Sequence, residues 1–274
     1  MERRLALIGF GEAARAFAPG LSASLRGYDR KDDADMHDAF AADGVVACDS
    51  PGNALDGAEG VLSLVTADQA LAAARASDGL ARDAFWFDMN SVAPNTKRAA
   101  AEAVGGRYVD VAVMAPVHPK RTAVPLLVAG PHAADGADFL RDLGFRDVSI
   151  AGDAVGAASA IKMIRSVMVK GIEALSAECV LAAEAARVRG AVIASLDASW
   201  PGADWATRFD YNLDRMMAHG VRRAAEMEEV VATLDALGTG SAMSRATVER
   251  QRAIGALGIA PPDGLDAKLE MLAQ

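Results

Sequence analysis

The sequence contains few of the residues on which disulfide-linked, metal-binding or membrane-spanning proteins depend. Only two cysteines occur among 274 residues, Cys48 and Cys179, each inside an apolar run, which favours reduced thiols over a disulfide framework. The four histidines show no ligand spacing, so we expect no metal site. No apolar run approaches membrane-spanning length, and the run after the charged N-terminus is too short for a signal sequence. We therefore predict a cytoplasmic protein that is neither exported nor inserted into a membrane.

Basic residues are also scarce, since 28 lysines and arginines face 37 aspartates and glutamates, for a formal net charge of -9. Nucleic-acid binding needs a concentrated basic surface, whereas the basic clusters here are short. A hydrophobic content of 52% over this length is sufficient for a sizeable core and favours two domains. Small metabolites are therefore the expected partners, and nucleic acid and membranes are not.

Over the first 150 residues, short β-branched runs alternate with alanine-rich segments, which is typical of parallel βαβ units. The predicted strands are Arg4–Ile8, Leu25–Tyr28, Val45–Cys48, Gly60–Val65, Ala84–Asp88, Tyr108–Val113, Leu126–Ala129 and Asp147–Ile150. Long helices follow, with breaks expected near Gly190, Pro201-Gly202, Gly238–Gly240 and Pro261-Pro262. The fold class is therefore α/β: a doubly wound Rossmann domain over residues 1–152, followed by an all-helical domain over residues 153–274.

The segment LALIGFGEAARAF places Gly9 and Gly11 between a predicted strand and a helix, in the G-x-G-x-x-A pattern of dinucleotide-binding turns. Asp29 ends the second strand, about 20 residues further on, where a carboxylate accepts the ribose hydroxyls of NAD. Steric needs of a tight turn can also explain the glycines, and an ordinary turn can explain Asp29. Arg30 and Lys31 could attract a 2′-phosphate. We therefore favour NAD as the cofactor and leave NADP open.

The segment GAASAIKMIRSVMVKGIEAL reads as a helix with a lysine, Lys162, among its polar residues. At helical spacing one side is apolar and consists of Ile161, Ile164, Met168, Ile172, Leu175 and Cys179. The opposite side is polar and consists of Ser159, Lys162, Ser166, Lys170 and Glu173. Periodicity alone therefore predicts that the polar side faces solvent and that Lys162 is an ordinary surface charge.

Three further segments resemble the β-hydroxyacid dehydrogenase superfamily, and the resemblance spans most of the chain. DMNSVAPNTKRAA is similar to the family's substrate-binding segment D-x-S-T-x-x-P, with Asp88 and Pro94 matching. YVDVAVMAPVHPKRTAVPLLVAG is similar to the next strand and loop, with Asp110 and Val113 matching. GAASAIKMIRS is similar to the helix that carries the family's catalytic lysine, which corresponds to Lys162.

The chain departs from the family at its substrate-contacting positions. Asn90 and Ser91 stand where serine and threonine are usual, and Met114-Ala115-Pro116 replaces Ser-Gly-Gly. Ser166, preceded by Arg165, replaces the asparagine that follows the lysine. The resemblance therefore implies a divergent branch of the family with a nonstandard substrate.

The implied activity is hydride transfer between NAD(P) and a small hydroxy acid or its oxo form, with Lys162 as general acid and base at a cleft between domains. The implied substrate-binding residues are Asn90, Ser91, Met114, Ala115, Arg165 and Ser166. The implied cofactor-binding residues are Gly9, Phe10, Gly11, Glu12, Ala13, Asp29, Arg30, Leu64, Val65, Thr66 and Asn90. We expect a carboxylate-bearing substrate, to which the loop His118–Arg121 could offer positive charge, and a homodimer joined by the helical domain. An imine reductase of the same architecture and a non-catalytic dinucleotide-binding protein are the alternatives.

Overall fold

The computed structural model describes residues 3–272, which form two compact units that divide between Met163 and Ile164. The first unit contains an eight-stranded sheet. Its strands are β1 (Arg4–Ile8), β2 (Ser24–Tyr28), β3 (Val46–Ala47), β4 (Gly60–Ser63), β5 (Phe85–Asp88), β6 (Arg107–Val113), β7 (Leu126–Ala129) and β8 (Val148–Gly152). All eight predicted strands are present, although β3 pairs with β2 over two residues only.

The strand order is β3-β2-β1-β4-β5-β6-β7-β8, so the chain reverses its direction of growth between β1 and β4. In open α/β sheets, ligands bind beyond the carboxyl ends of the strands at such a reversal. The first six strands are parallel, whereas β7 pairs with β6 in antiparallel fashion and β8 runs parallel to β7. The predicted parallel βαβ pattern therefore holds for the first six strands and for the unit β7–α6–β8, and only the β6–β7 pairing departs from it. The antiparallel direction is possible because a loop without a crossover helix joins β6 to β7.

Helices cover both faces of the sheet, as the prediction of a doubly wound fold required. They are α1 (Glu12–Phe17), α2 (Ala34–Ala42), α3 (Pro51–Leu55), α4 (Ala70–Arg75), α5 (Pro94–Val104) and α6 (Ala133–Asp142). Leu5 and Leu7 of β1 pack into one core with α1, α2 and α6, while Ala6 and Ile8 pack into a second core with α3, α4 and α5. Alternate side chains of a strand point to opposite faces, which is why β1 contributes to both cores.

The second unit consists of the greater part of α7 (Ala157–Ala185) and four further helices. These are α8 (Arg189–Ser199), α9 (Trp205–Leu237), α10 (Ala242–Gly255) and α11 (Leu265–Leu272). All four expected helix breaks are present, the first at residues 186–188, just before Gly190, which lies in the first turn of α8. The sheet ends with β8 at Gly152, but the first unit continues into α7 as far as Met163.

Helix α7 buries the side that periodicity assigned to solvent. Ser159, Lys170 and Glu173 are 2%, 5% and 3% exposed, whereas Met168 and Leu175 on the apolar side are 64% and 55% exposed. The prediction for this helix was therefore wrong in orientation. Polar groups can be buried at low cost when they pair with one another, and the buried side of α7 consists of such pairs.

A buried ionic cluster explains this orientation within the second unit. Glu173 accepts hydrogen bonds from Arg223 Nε, at 3.0 Å, and from Gln251 Nε2, at 2.8 Å, and a second Arg223 nitrogen binds its other oxygen. Lys170 donates to Glu226 Oε2 at 2.7 Å. Burial lowers the pKa of Lys170, an effect that the neighbouring Glu226 opposes. These pairs hold α7 against α9 and α10.

Candidate functional site

The turn between β1 and α1 requires glycine at Gly9. Its φ of +89° lies in the left-handed region, and a Cβ there would come within 2.6 Å of the backbone oxygen of Leu64. A Cβ at Gly11 would meet no atom within 4 Å, so the backbone at Gly11 borders open space. The turn therefore has the small residues and the free approach that a dinucleotide pyrophosphate needs.

Asp29 connects the end of β2 to this turn. Its Oδ2 accepts a hydrogen bond from the Phe10 backbone N–H at 2.7 Å, and its Oδ1 accepts one from the Lys31 N–H at 2.8 Å. Each carboxylate oxygen can accept a further bond, so both remain available to ribose hydroxyls. The neighbouring Arg30 donates to Gln69, in the segment that follows β4. A carboxylate and a guanidinium thus lie side by side where the cofactor ribose would be recognised.

The other predicted cofactor residues differ in whether their side chains or only their backbone atoms can contact a ligand. The Phe10 ring is fully buried and stacks on Phe40, with ring centroids 4.1 Å apart, so that only its backbone can face a ligand. A cavity of about 540 Å³ borders the turn. Its lining includes Gly11, Glu12, Arg15, Lys31 and His118. The remaining predicted cofactor residues are the partly buried Ala13, Leu64 and Val65 and the exposed Thr66.

Asn90 lies at the same edge of the sheet, just beyond β5. Ile8, Ser63 and Asp88 are in register across β1, β4 and β5, so the glycine turn and Asn90 are two strand spacings apart, about 10 Å. The Asn90 Nδ2 donates to Ser63 Oγ at 2.9 Å and to Asp88 Oδ1 at 2.8 Å. Its Oδ1 is buried without a hydrogen-bond partner. Asn90 thus has one unsatisfied acceptor at this edge of the sheet.

Lys162 and Ser91 meet in the first unit. The Lys162 Nζ donates to Ser91 Oγ at 2.6 Å, although 71 residues separate them in the chain. Lys162 is partly buried on α7, and Ser91 is partly buried beside Asn90. Because a hydroxyl that accepts a bond keeps its own hydrogen, Ser91 can still donate to an oxygen of a substrate. The pair provides an ammonium and a hydroxyl in one place.

The other predicted substrate residues are distributed over both units. Met114 and Ala115 are partly buried directly after β6, and the Met114 N–H donates to the Pro125 backbone oxygen at 2.9 Å. Arg165 and Ser166 follow Lys162 on α7 but belong to the second unit, where Arg165 is exposed and Ser166 is buried. On α9 of the second unit, Arg222 pairs with Glu226 one turn later, at 3.6 Å.

Sequence reasoning missed Lys97, which is fully buried beneath this site on α5. Its Nζ lies 2.9 Å from Asp88 Oδ1 and 3.5 Å from Asp110 Oδ1. One signal was present in the sequence. Lys97 stands three residues before Ala100 and seven before Val104, a spacing that places a charge on the helix face that packs against the sheet.

Within residues 3–272, no group of three or more His, Cys, Asp or Glu side chains is arranged to hold a metal ion. The same part of the chain contains no helix with the length and hydrophobicity that crossing a membrane requires. Both cysteines are free and partly buried.

Comparison with known proteins identifies a domain match and several similar structures. Residues 183–254 match the model of a domain of unknown function, DUF1932. A conserved hypothetical protein from Sinorhizobium meliloti 1021 is 39% identical, with 100% of this chain and 96% of that chain covered and a TM-score of 0.76. A conserved protein of unknown function with structural similarity to 3-hydroxyacid dehydrogenases is 28% identical, covering 94% and 100%, with a TM-score of 0.71.

A more distant structure has the same fold along the whole chain. The 3-hydroxyisobutyrate dehydrogenase of Mycobacterium tuberculosis, solved with L-serine, is 17% identical over 100% of both chains, with a TM-score of 0.76. No curated protein matches the sequence.

Proposed function

Because the chain belongs to the β-hydroxyacid dehydrogenase superfamily, we propose that it is an NAD(P)-dependent oxidoreductase that interconverts a small hydroxy acid and its oxo form. The observation that carries this proposal is the 2.6 Å hydrogen bond between Lys162 Nζ and Ser91 Oγ, at the sheet edge that also holds the glycine turn. A bound nicotinamide would accept or supply the hydride. The residues of this chain would transfer the proton and bind the substrate.

In the oxidation direction the substrate hydroxyl must lose a proton, and in the reduction direction the carbonyl oxygen must gain one. Lys162 is the group proposed for this transfer, directly or through the Ser91 hydroxyl that it contacts. Asn90 would orient the substrate or the cofactor, since its unpartnered Oδ1 can accept a hydrogen bond from a hydroxyl or an amide. An acceptor left buried without a partner is unfavourable, which supports a bound donor at this position.

The cofactor half of the proposal rests on four features of the chain. Gly9 has the backbone geometry of the turn, Gly11 borders open space, and Asp29 keeps acceptor capacity on both oxygens. Leu64–Thr66 would lie beneath the dinucleotide, between the turn and Asn90, because β4 separates β1 from β5. We propose NAD as the preferred cofactor, since Asp29 would repel a 2′-phosphate.

A screen of 2- and 3-hydroxy acids with NAD and with NADP, followed by nicotinamide absorbance, tests the proposed reaction. The corresponding oxo acids with NADH cover the reverse direction. Turnover of cyclic imines without turnover of any hydroxy acid would favour the imine reductase. Saturable NADH binding without turnover in either series would favour the non-catalytic dinucleotide-binding protein.

We expect the protein to bind NADH more tightly than NADPH by about tenfold or more, which corresponds to about 1.4 kcal/mol. The reason is the Asp29 carboxylate, which the Phe10 and Lys31 amides hold at the end of β2. Asp29→Ala should narrow the difference, as measured by isothermal titration with both nucleotides. Asp32→Ala, which removes an exposed carboxylate nearby, should leave it unchanged. Equal or tighter NADPH binding by the parent protein would reverse the assignment and make Arg30 the phosphate contact.

A second copy of the chain is the proposed partner of the exposed apolar side of α7. Met168, Leu175 and Met243 are 64%, 55% and 65% exposed beside a groove of about 510 Å³ between α7 and α10. Exposed apolar patches of this kind mark association sites. Sedimentation at micromolar concentration should therefore return a dimer, and Met168→Glu should shift it towards monomer. Val221→Glu, at an exposed apolar residue of α9, is the control, and a monomeric parent protein would refute the proposal.

A further inference from the structure

Two carboxylates face each other beneath the proposed site. Asp88 of β5 and Asp110 of β6 are register partners on adjacent strands, and both are fully buried. Like charges directly opposite one another destabilise a sheet, and a buried charge needs a partner. The Lys97 ammonium supplies that partner, at 2.9 Å from Asp88 Oδ1 and 3.5 Å from Asp110 Oδ1. One ammonium group thus forms ion pairs with two carboxylates.

Asp88 controls the orientation of Asn90. Its Oδ1 accepts hydrogen bonds from the Asn90 backbone N–H, at 3.0 Å, and from Asn90 Nδ2, at 2.8 Å. Its Oδ2 accepts one from the Tyr108 hydroxyl at 2.7 Å. Burial, and then the charge of Asp88, raise the pKa of Tyr108, so its hydroxyl stays protonated and remains a donor. Because a carboxylate only accepts, the Asn90 amide must turn its nitrogen towards Asp88, which leaves Oδ1 for a ligand.

Asp110 controls the start of α7. Its Oδ2 accepts hydrogen bonds from the backbone N–H groups of Gly156 and Ser159, both at 3.1 Å, and from Ser159 Oγ at 3.3 Å. The first N–H groups of a helix have no partner within the helix, so a carboxylate here fixes where the helix begins. Lys162 follows Ser159 by three residues and is therefore carried by the turn that Asp110 holds.

We infer that Lys97 is a positioning residue that joins the two halves of the site, Asn90 and Ser91 after β5 and Lys162 on α7. Through Asp88 it sets the Asn90 amide, and through Asp110 it sets the first turn of α7. The distance between Ser91 and Lys162 depends on both. The expected loss of turnover without Lys97 rests on the proposed function. The expected loss of order around Asn90 and at the start of α7 does not.

The test compares Lys97→Met, which keeps the length of the side chain and removes its charge, with the parent protein by amide hydrogen exchange. Exchange should accelerate in peptides that cover residues 88–97 and 154–163, while peptides from β1 and α9 exchange as in the parent. Lys268→Met is the matched control, because it removes another buried lysine, which pairs with Asp210 at 2.7 Å in the second unit. It should leave both segments protected. Uniform acceleration throughout Lys97→Met would show general destabilisation and overturn the inference.

Once a substrate is identified, Lys97→Met should lower kcat by about 10²-fold, the size of effect that a misplacement of about 1 Å produces. The double variant Lys97→Met with Asp88→Asn restores the parent's net charge and should recover thermal stability. It should not recover kcat, because an amide cannot accept hydrogen bonds from both Asn90 and Tyr108 with its two atoms. Recovery of both kcat and thermal stability would show that Lys97 has only a structural role, as one partner of an ion pair.

The two kinds of readout separate this inference from the proposed reaction. If no hydroxy acid is turned over, the exchange pattern still decides whether Lys97 holds the two segments. If Lys97→Met does not fold, the double variant takes its place in the exchange experiment, with acceleration expected in residues 154–163, which Asp110 holds, and parent-like protection there contradicting the inference.

Discussion

Replacing Lys162 with alanine is expected to lower turnover by at least about 10²-fold, the smaller end of what a positioned acid–base group contributes. The variant loses the ammonium that contacts Ser91 Oγ at 2.6 Å and with it the group proposed to exchange a proton with the substrate oxygen. NADH affinity and thermal stability should remain close to those of the parent, because Lys162 is only partly buried and lies outside the glycine turn. Steady-state rates, NADH titrations and thermal unfolding of the purified variant measure these three quantities.

The control for this variant must be an exposed basic residue outside both the site and the buried clusters. Arg146 meets that condition, and Arg146→Ala should turn over substrate as the parent does. Lys170, although it lies on the same helix, is unsuitable because its buried ammonium pairs with Glu226 at 2.7 Å. Equal rates for Lys162→Ala and Arg146→Ala would show that Lys162 is an ordinary surface lysine.

Replacing Glu173 with alanine is expected to lower the free energy of unfolding by about 3–5 kcal/mol, the usual cost of removing one partner from a buried ion pair. Arg223, which binds both oxygens of Glu173, would keep a buried guanidinium without its carboxylate, and Gln251 would lose an acceptor. Urea denaturation at equilibrium, monitored by circular dichroism, measures the change.

An exposed ion pair provides the comparison for Glu173. Glu228 accepts a hydrogen bond from Arg252 at 2.6 Å, with both side chains about half exposed. Glu228→Ala should therefore cost no more than about 1 kcal/mol. If Glu173→Ala also cost no more than that, the buried side of α7 would not depend on its ion pairs, and its orientation would need another explanation.

The sequence by itself determined the sheet and the glycine turn. Short runs of β-branched and other apolar residues located every strand, because burial between two helical layers demands apolar side chains on both faces. Gly9 was identifiable because the backbone there adopts a left-handed φ close to Leu64, which a side chain would obstruct. These features depend on local conformation and on composition, and a linear pattern reports both.

Only the tertiary structure decided which side of α7 is buried and what lies beneath the site. Helical spacing separates Lys170 and Glu173 from Met168 and Leu175, but it does not show which of these two sides faces inward. Charged side chains can be buried when residues distant in the sequence, such as Arg223, form ion pairs with them. Contacts made across long stretches of chain are likewise invisible to periodicity, as between Ser91 and Lys162. Lys97 reaches Asp88 and Asp110 because the sheet brings two aspartates into register, and that pairing exists only in three dimensions.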